Sequence, residues 1–445
     1  MADKRNKRSG SENKIPSILS KITLLHGDRV LWVIVATLMT ISVLVVYSSV
    51  AKMGYAEMAG TTNRILMKHL AMVGVSVVAM LIAYRLNCKH YHALSPWVYL
   101  LCLLLTVGVY FFGAQTNDAA RWYNFFGVSV QPSELLKVAT IIFLARQLSF
   151  KQRIIDTQRL IPSLNPMKWR TPEQRKIWFD GTLPILLPIA LSCIVILPAH
   201  TSSAMLVFGI SLIMMFIARV RKRELLKLVC LTAAAAALFV AVGGGRSHTA
   251  NRRITSFVES WTSSPVDSLG RVVREATDTE LAMVAIYDGD ITGVGAGQSV
   301  MRAKITHPES DYIFAFFVEE YGIIMAILLI VMYVWIFVRA VRIFKRSDWI
   351  FGGLLVIGMA MLITVQALLH FMVSINFFPE TGQNLPLISH GGTSMICTAA
   401  AFGVMLAISR QIEEGSLVPP SRTETLITPT EEEEEEENDN YNEEA

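Results

Sequence analysis

The chain has 445 residues, of which 53% are hydrophobic and only 17% charged, with a formal net charge of +4. A soluble globular chain carries about 25% charged residues, and apolar blocks of spanning length point to a bilayer rather than to a large soluble core. The small net charge hides a basic start, MADKRNKRSG, and an acidic end, EEEEEEENDNYNEEA. Charge therefore has to be placed joint by joint, and nucleic acid is not an expected partner.

Ten apolar blocks follow one another, at about 30–50, 67–84, 94–113, 134–149, 182–198, 203–219, 224–243, 312–338, 351–376 and 393–409. The first begins near Val30 and is long enough to span, so it reads as an uncleaved anchor rather than a signal peptide. The joints at 85–93, 150–181, 218–227 and 339–348 are rich in Lys and Arg. With ten spans and the N-terminus inside, all four fall on the cytoplasmic side, as the positive-inside rule requires. The predicted fold class is thus an all-α polytopic protein of the cytoplasmic (inner) membrane. It has about ten transmembrane helices, and both termini are cytoplasmic. A basic leader (1–29) precedes the ten-helix domain (30–411), and an acidic tail (412–445) follows. The seven glutamates Glu431 to Glu437 repel one another, so the tail is expected to be disordered. Cys88, Cys102, Cys193, Cys230 and Cys397 show no CxxC or ligand spacing, so neither disulfides nor zinc is expected.

The opposite face carries short joints and one long extracytoplasmic segment, about 244–311, between helices 7 and 8. Segments of such length are usually functional. Within it, ELAMVAIYDGDITGVGAGQS reads as a short helix followed by a turn built on Gly289, Gly293, Gly295 and Gly297. An ordinary glycine turn is expected; a phosphate cradle is the alternative, although no strand precedes it and no Walker lysine follows.

Polar residues near or within apolar blocks mark three places. In QPSELLK, Pro132 precedes a helix with Ser133 as the predicted N-cap. Glu134 and Lys137 then lie one turn apart. They form either an intrahelical ion pair or part of an outward-facing polar cavity in which Arg121 and Lys137 hold an anion. In HPESDYIFAFFVEEYG, Asp311 stands at a helix mouth, where with Ser310 it could be an N-cap. Glu319 and Glu320 lie deeper, and an ionised carboxylate at hydrocarbon depth costs roughly 2.5–3.5 kcal/mol. On a continuous helix Glu319 is about 12 Å beyond Asp311. Such acids suit proton-coupled transport or a catalytic base. The third place is PETGQNLPLISHGGTS, whose Pro and Gly residues prevent a regular helix. Irregular backbone at that depth is tolerated where it lines a cavity.

Taken in order with VYSSV (46–50), GA-x6-RW (113–122) and GVGAGQS (293–299), these stretches resemble the SEDS family, the peptidoglycan glycosyltransferases that include RodA and FtsW. The resemblance covers about 30–411. It implies polymerisation of lipid II, an undecaprenyl diphosphate-linked disaccharide peptide, into β-1,4 glycan strands. A class B penicillin-binding protein transpeptidase, other division or elongation proteins and membrane lipid are the implied partners. Asp311 matches the family's loop aspartate and is expected to be the general base. Arg121, Glu134, Lys137, Glu319, Ser389, Gly391 and Gly392 are expected to bind substrate. No metal ligand set is recognised; no cofactor is implied with certainty, and a divalent cation (Mg or Mn) is plausible beside the diphosphate. The sequence departs from the family pattern in PAHTSSA, with His200 at a usual aspartate, and at His390, a usual tyrosine. The long leader and tail favour a division role over elongation. A flippase or transporter for lipid-linked oligosaccharide is the alternative function, and a purely structural scaffold is a third.

Overall fold

Ten long helices account for the ten apolar blocks. A computed structural model describes residues 26–51, 60–116, 119–125, 128–152, 155, 172, 177–241, 247–263, 265, 274–305, 310–389 and 392–417. The first seven helices are α1 (Arg29–Ala51), α2 (Gly60–Arg85), α3 (Cys88–Phe112), α4 (Pro132–Phe150), α5 (Leu183–Ile196), α6 (Thr201–Ile217) and α7 (Lys222–Ala241). The long segment contributes α8 (Ser247–Thr262) and α9 (Asp278–Asp288), and the chain returns through α10 (Ile313–Arg346), α11 (Ile350–Ser374) and α12 (Gly392–Glu413). Both the leader (1–25) and the tail from 418 onward lie outside the described residues.

Seven helices are long and apolar enough to cross a membrane: α1, α2, α3, α5 together with the π-helical turn before it (Trp178–Ile196), α10, α11 and α12. The other three that answer apolar blocks each have a visible reason for falling short. α6 is apolar but has only 17 residues. α4 carries Glu134, Lys137 and Arg146, and α7 opens on Lys222, Arg223, Glu224 and Lys227. The protein is a multi-pass helical membrane protein.

One small element adds to the all-α fold class that the sequence predicts. Between α3 and α4 stands a small antiparallel sheet of β1 (Ala114–Thr116), β2 (Ala119–Phe125) and β3 (Val128–Val130), in that order. Tyr123 pairs with Val130 and Phe125 with Val128. The aromatic and β-branched residues of RWYNF and VSV favour strands, but the strands are too short for a hydropathy pattern to announce them.

The centre of the bundle is α11 and α12, most of whose residues are buried, whereas the outer helices leave one face uncovered. α12 packs mainly on α2, α10 on α11, and α3 on α4. Gly27 N donates to Glu413 Oε2 at 2.7 Å, so the chain enters α1 and leaves α12 at the same end. The α2–α3 joint is at that end too, where Cys88 N donates to Gln411 Oε1 at 3.1 Å. An even number of spans requires this arrangement of the start of α1 and the end of α12.

α10 is not one continuous span. At Gly322 the backbone adopts φ 80°, ψ 172°, a non-helical conformation that divides the helix. Only glycine visits this region readily. A Cβ there would also collide with the carbonyl oxygen of Ile291. The short N-terminal half, from Ile313 to Tyr321, is buried through Glu320, and the membrane-spanning half follows the break.

Candidate active site

The mouth of α4 is organised by its proline. Gln131 occupies the N-cap position and Pro132 the first helical one, and no side chain caps the helix. Ser133 is therefore not the N-cap, because Pro132 fills the position where the backbone needs no donor. Its hydroxyl is buried with no hydrogen-bond partner among the described residues. One turn on, Lys137 Nζ meets Glu134 Oε1 at 2.8 Å, with the lysine side chain only 1% exposed. The same ammonium lies 3.4 Å from Gln366 Oε1 of α11, and Gln366 Nε2 donates to the carbonyl oxygen of Asn384 at 2.9 Å. A buried cation is thus held by one carboxylate and one amide, and through the amide it is tied to the irregular loop after α11.

Asp311 reaches that loop from the other side. Ser310 Oγ donates to Asp311 Oδ1 at 3.2 Å, and Ser310's backbone oxygen accepts from Ser389 Oγ at 2.9 Å. Ser389 Oγ in turn accepts from Leu385 N at 2.7 Å. Tyr312, not Asp311, stands at the N-cap of α10, and it makes no side-chain cap bond. Asp311 itself is half-buried. Asn384 and Leu385 are consecutive, so one short loop receives both the Lys137 cluster and the Asp311 mouth.

The two deeper acids have a different occupation. Glu319 accepts from Ser299 Oγ at 2.5 Å and from Val300 N at 2.8 Å. Glu320 accepts from Ser48 Oγ of α1 at 2.6 Å and from Gly297 N at 3.0 Å, and pairs with Arg302 at 3.5 Å. Arg302 also donates to the backbone oxygen of Ser48. Burial pulls the Arg302 guanidinium below its ordinary value, and Glu320 and Glu319 push it back up. These carboxylates thus sit in the N-terminal half-helix, ahead of the break, with donors supplied by the Gly-rich turn and the residues after it and by Ser48 of α1.

That turn is not a phosphate cradle. The amides of Val294 and Gly295 donate to the backbone oxygens of Glu319 and Glu320, at 2.9 and 3.1 Å. Those of Gly293 and Gln298 close local turns, and that of Gly297 goes to Glu320. Gly293 (φ +81°) would clash with the Glu320 carbonyl oxygen if it carried a Cβ. The glycines serve close backbone approach to α10.

α9 supports the mouth of α10 from outside. Its capping box pairs Thr277 with Glu280, and Arg274 grips Glu280 with Nη2–Oε1 at 2.7 Å and Nη1–Oε2 at 2.9 Å. That guanidinium is the main cause holding the Glu280 carboxyl below the usual carboxylate range; burial works against it and Thr277 with it. Thr279 Oγ1 and the Tyr312 hydroxyl are 2.9 Å apart.

His200, where the family pattern has an acid, is engaged at both ring nitrogens. Nε2 lies 3.2 Å from the Gly382 oxygen, and Gln383 Nε2 lies 3.1 Å from Nδ1. It fastens α6 to the loop rather than facing a reactant.

Among the other expected site residues, Arg121 lies on β2. Gly392 begins α12, while Gly391 and His390 fall outside the described residues. Sequence reasoning missed Gln366, Asn384, Thr393 and Arg302. Thr393 accepts from Gln131 N at 2.9 Å and donates to Ser129 O at 3.1 Å, joining the mouths of α12 and α4. Gln366 did leave a signal, a lone amide within ITVQALLHF. No three of His, Cys, Asp and Glu converge as metal ligands among the described residues. The described site thus offers no protein cage for a divalent cation.

Residues 28–414 match the family model FtsW/RodA/SpoVE, described as cell cycle protein. The chain belongs to this family. Among curated relatives, a probable peptidoglycan glycosyltransferase FtsW of Geobacter metallireducens is 28% identical over 339 residues, covering 75% of this chain and 82% of that protein. Stage V sporulation protein E of Bacillus subtilis is 27% identical over 391 residues, covering 86% and 97%. Among solved structures, a chain from a peptidoglycan synthase complex that coordinates polymerization and crosslinking aligns with TM-score 0.62 at 21% identity, over 86% of this chain and 98% of that one. The rod shape determining protein RodA of Thermus thermophilus aligns with TM-score 0.57 at 18% identity, again over 86% and 98%. At these identities the structures speak for the fold.

Proposed function

We propose that the chain is a peptidoglycan glycosyltransferase that polymerises lipid II at the outer face of the cytoplasmic membrane during cell division. The observation that carries the reading is the convergence of the Asp311 mouth and the buried Lys137–Glu134 pair on one loop, Asn384–Ser389. Family membership and the names of the curated relatives support the chemistry. Asp311 acts as general base. It takes the proton from the 4-hydroxyl of GlcNAc on the acceptor, and that oxygen forms a bond to the anomeric carbon of MurNAc in the donor. The bond from that carbon to the diphosphate oxygen breaks, and undecaprenyl diphosphate leaves with the electron pair. One displacement turns an α-linked donor into a β-1,4 product, and the carboxylic acid returns its proton to water. A carboxylate on a half-buried residue beside a hydroxyl donor suits this work. Positive charge near the leaving diphosphate stabilises the developing anion; Lys137 and Arg121 are assigned to it, with Glu134 holding Lys137 in place. Ser389 and the glycines Gly391 and Gly392 shape the loop that the sugar meets. Glu319 enters substrate binding through the turn it holds.

The start of α1 and the end of α12 share one end of the bundle, and the positive-inside rule applied to the basic joints supports a cytoplasmic reading of that end. A class B penicillin-binding protein is the cross-linking partner, in keeping with the synthase complex among the similar folds. The test is polymerisation of fluorescent lipid II by the purified protein with its partner. Asp311→Asn should fold normally and make no polymer; wild-type-like polymer from that variant would remove the base assignment. A wild-type chain that moves lipid II between leaflets but makes no polymer would establish a flippase instead. Depletion in cells should give filaments with blocked septa, whereas round dividing cells would place the chain in elongation.

A further inference from the structure

At the end of the bundle away from Asp311, α1, α10 and α12 enclose a cavity of about 450 Å³. Its lining on α10, Arg339 to Arg346, begins 17 residues past the break at Gly322, about 25 Å at the usual helical rise. Its charged lining is Asp28, Arg29, Arg339, Arg342, Arg346 and Glu413. The acids are already spent. Asp28 Oδ1 caps α1 through Val30 N and Leu31 N, its other oxygen pairs with Arg339 Nη2 at 2.5 Å, and Glu413 holds Gly27 N. Among the described residues no carboxylate pairs with Arg29, Arg342 or Arg346. Four guanidinium groups from two helices therefore face two carboxylates in the lining, which leaves it positive.

The face of α10 below the cavity tells which anion belongs there. Residues 331, 335, 339, 342 and 346 recur at helical spacing and form one stripe. It begins with Val331 (47% exposed) and Trp335 (43% exposed) and ends in the arginines. An uncovered apolar track that passes through tryptophan into arginine is the profile of a helix leaving hydrocarbon for the headgroup layer. Basic pockets between transmembrane helices suit acidic lipid headgroups. The volume equals about fifteen waters at ~30 Å³ each, room for a phosphodiester and its glycerol. We infer that this cavity binds the headgroup of an anionic phospholipid, with the acyl chains lying along the Val331–Trp335 face. Arg342 and Arg346 grip the phosphate oxygens, and Arg29 closes the site from α1. The site is separate from the proposed lipid II site and stands or falls independently of it.

Native mass spectrometry of the full-length, delipidated protein in detergent tests this with dioctanoyl phosphatidylglycerol, dioctanoyl phosphatidylcholine and inorganic phosphate. Phosphatidylglycerol should bind saturably, and the phosphatidylcholine of equal chain length should not. Removing two arginines, Arg342→Gln with Arg346→Gln, should weaken binding about thirtyfold. Lys151→Gln with Lys222→Gln, which removes equal charge at the same end outside the cavity, should leave binding unchanged. If the glutamine pair fails to fold, Arg342→Lys with Arg346→Lys retains the charge but loses the fork, and should show a smaller loss. Equal losses in the cavity and control variants would overturn the site. Displacement of the lipid by inorganic phosphate at equal concentration would make it a free-anion site. Stronger lipid binding after changing Glu431 through Glu437 to glutamine in the full chain would show that the chain's own acidic tail occupies it, and would overturn the proposal as well.

Discussion

Ser389 donates a hydrogen bond to the backbone oxygen of Ser310, at 2.9 Å, and so fastens the loop after α11 to the residue preceding Asp311. The same hydroxyl accepts from Leu385 N at 2.7 Å, so one side chain fixes both the loop's own turn and its distance from the acid. Ser389→Ala removes both bonds. A typical intramolecular hydrogen bond contributes about 0.5–1.5 kcal/mol, so the fold should survive with a modest drop in unfolding temperature. Lipid II polymerisation should fall far more than stability does, because a misplacement of about 1 Å can cost about a hundredfold in rate. Parallel losses in unfolding temperature and polymer yield would mean that Ser389 only supports the fold.

The buried Lys137–Glu134 pair makes a second prediction. Removing one partner of a buried ion pair leaves an uncompensated charge and costs about 3–5 kcal/mol, whereas replacing both with apolar groups can be nearly neutral. Lys137→Met alone should therefore lower the unfolding temperature in detergent more than Lys137→Met combined with Glu134→Leu. Polymer synthesis should be absent from both variants if Lys137 faces the diphosphate. A double variant destabilised by the sum of the losses in Lys137→Met alone and Glu134→Leu alone would show that the pair is not coupled.

Gly322 supplies the third. Its backbone lies where a side chain costs about 1–3 kcal/mol in strain, and a Cβ would press on Ile291 O and Gly293 N. Gly322→Ala should destabilise the protein and loosen the turn at 293–299 together, read as faster amide exchange at Val294 and Gly295, whose amides donate to Glu319 O and Glu320 O. Unchanged exchange at those amides would mean that the break and the turn are independent.

The spans were legible because hydrophobic length is a one-dimensional signal. All ten apolar blocks became helices, and Arg29–Ala51 and Ile350–Ser374 differ by a residue or two from the blocks at 30–50 and 351–376. The Glu134–Lys137 contact was legible for the same reason, since helical spacing alone brings residues three apart together. What the sequence hid was tertiary. Glu319 and Glu320 looked like charges at hydrocarbon depth because nothing in a hydropathy window reveals the break at Gly322, or the turn whose amides and hydroxyls meet them. The sheet at 114–130 was hidden because its strands are too short for periodicity to register, and Ser133 was misplaced because the helix starts two residues earlier, with Pro132 at its first position. The tie from Lys137 through Gln366 to Asn384 joins residues 229 and 18 positions apart, a distance no local pattern spans.

The last prediction concerns acid and salt at the outer support of α10. Arg274 holds the Glu280 carboxyl below its ordinary value, so the folded state binds this proton less readily than the unfolded chain does. The contribution of the pair is present above the ordinary carboxylate range and is lost as pH falls through the depressed folded value. Stability should therefore decline on acidification in the wild type more steeply than in Glu280→Gln, which has no proton to gain. The two curves should converge at the acid end. Arg274 is the partly exposed member, so added salt should weaken the pair and flatten the difference. Thr279 of the same helix contacts the Tyr312 hydroxyl beside Asp311, so the loss should loosen the α10 mouth. Thermal unfolding of both proteins across acidic pH, at low and high salt, checks this; identical pH slopes at low salt would show that Glu280 contributes nothing through its charge.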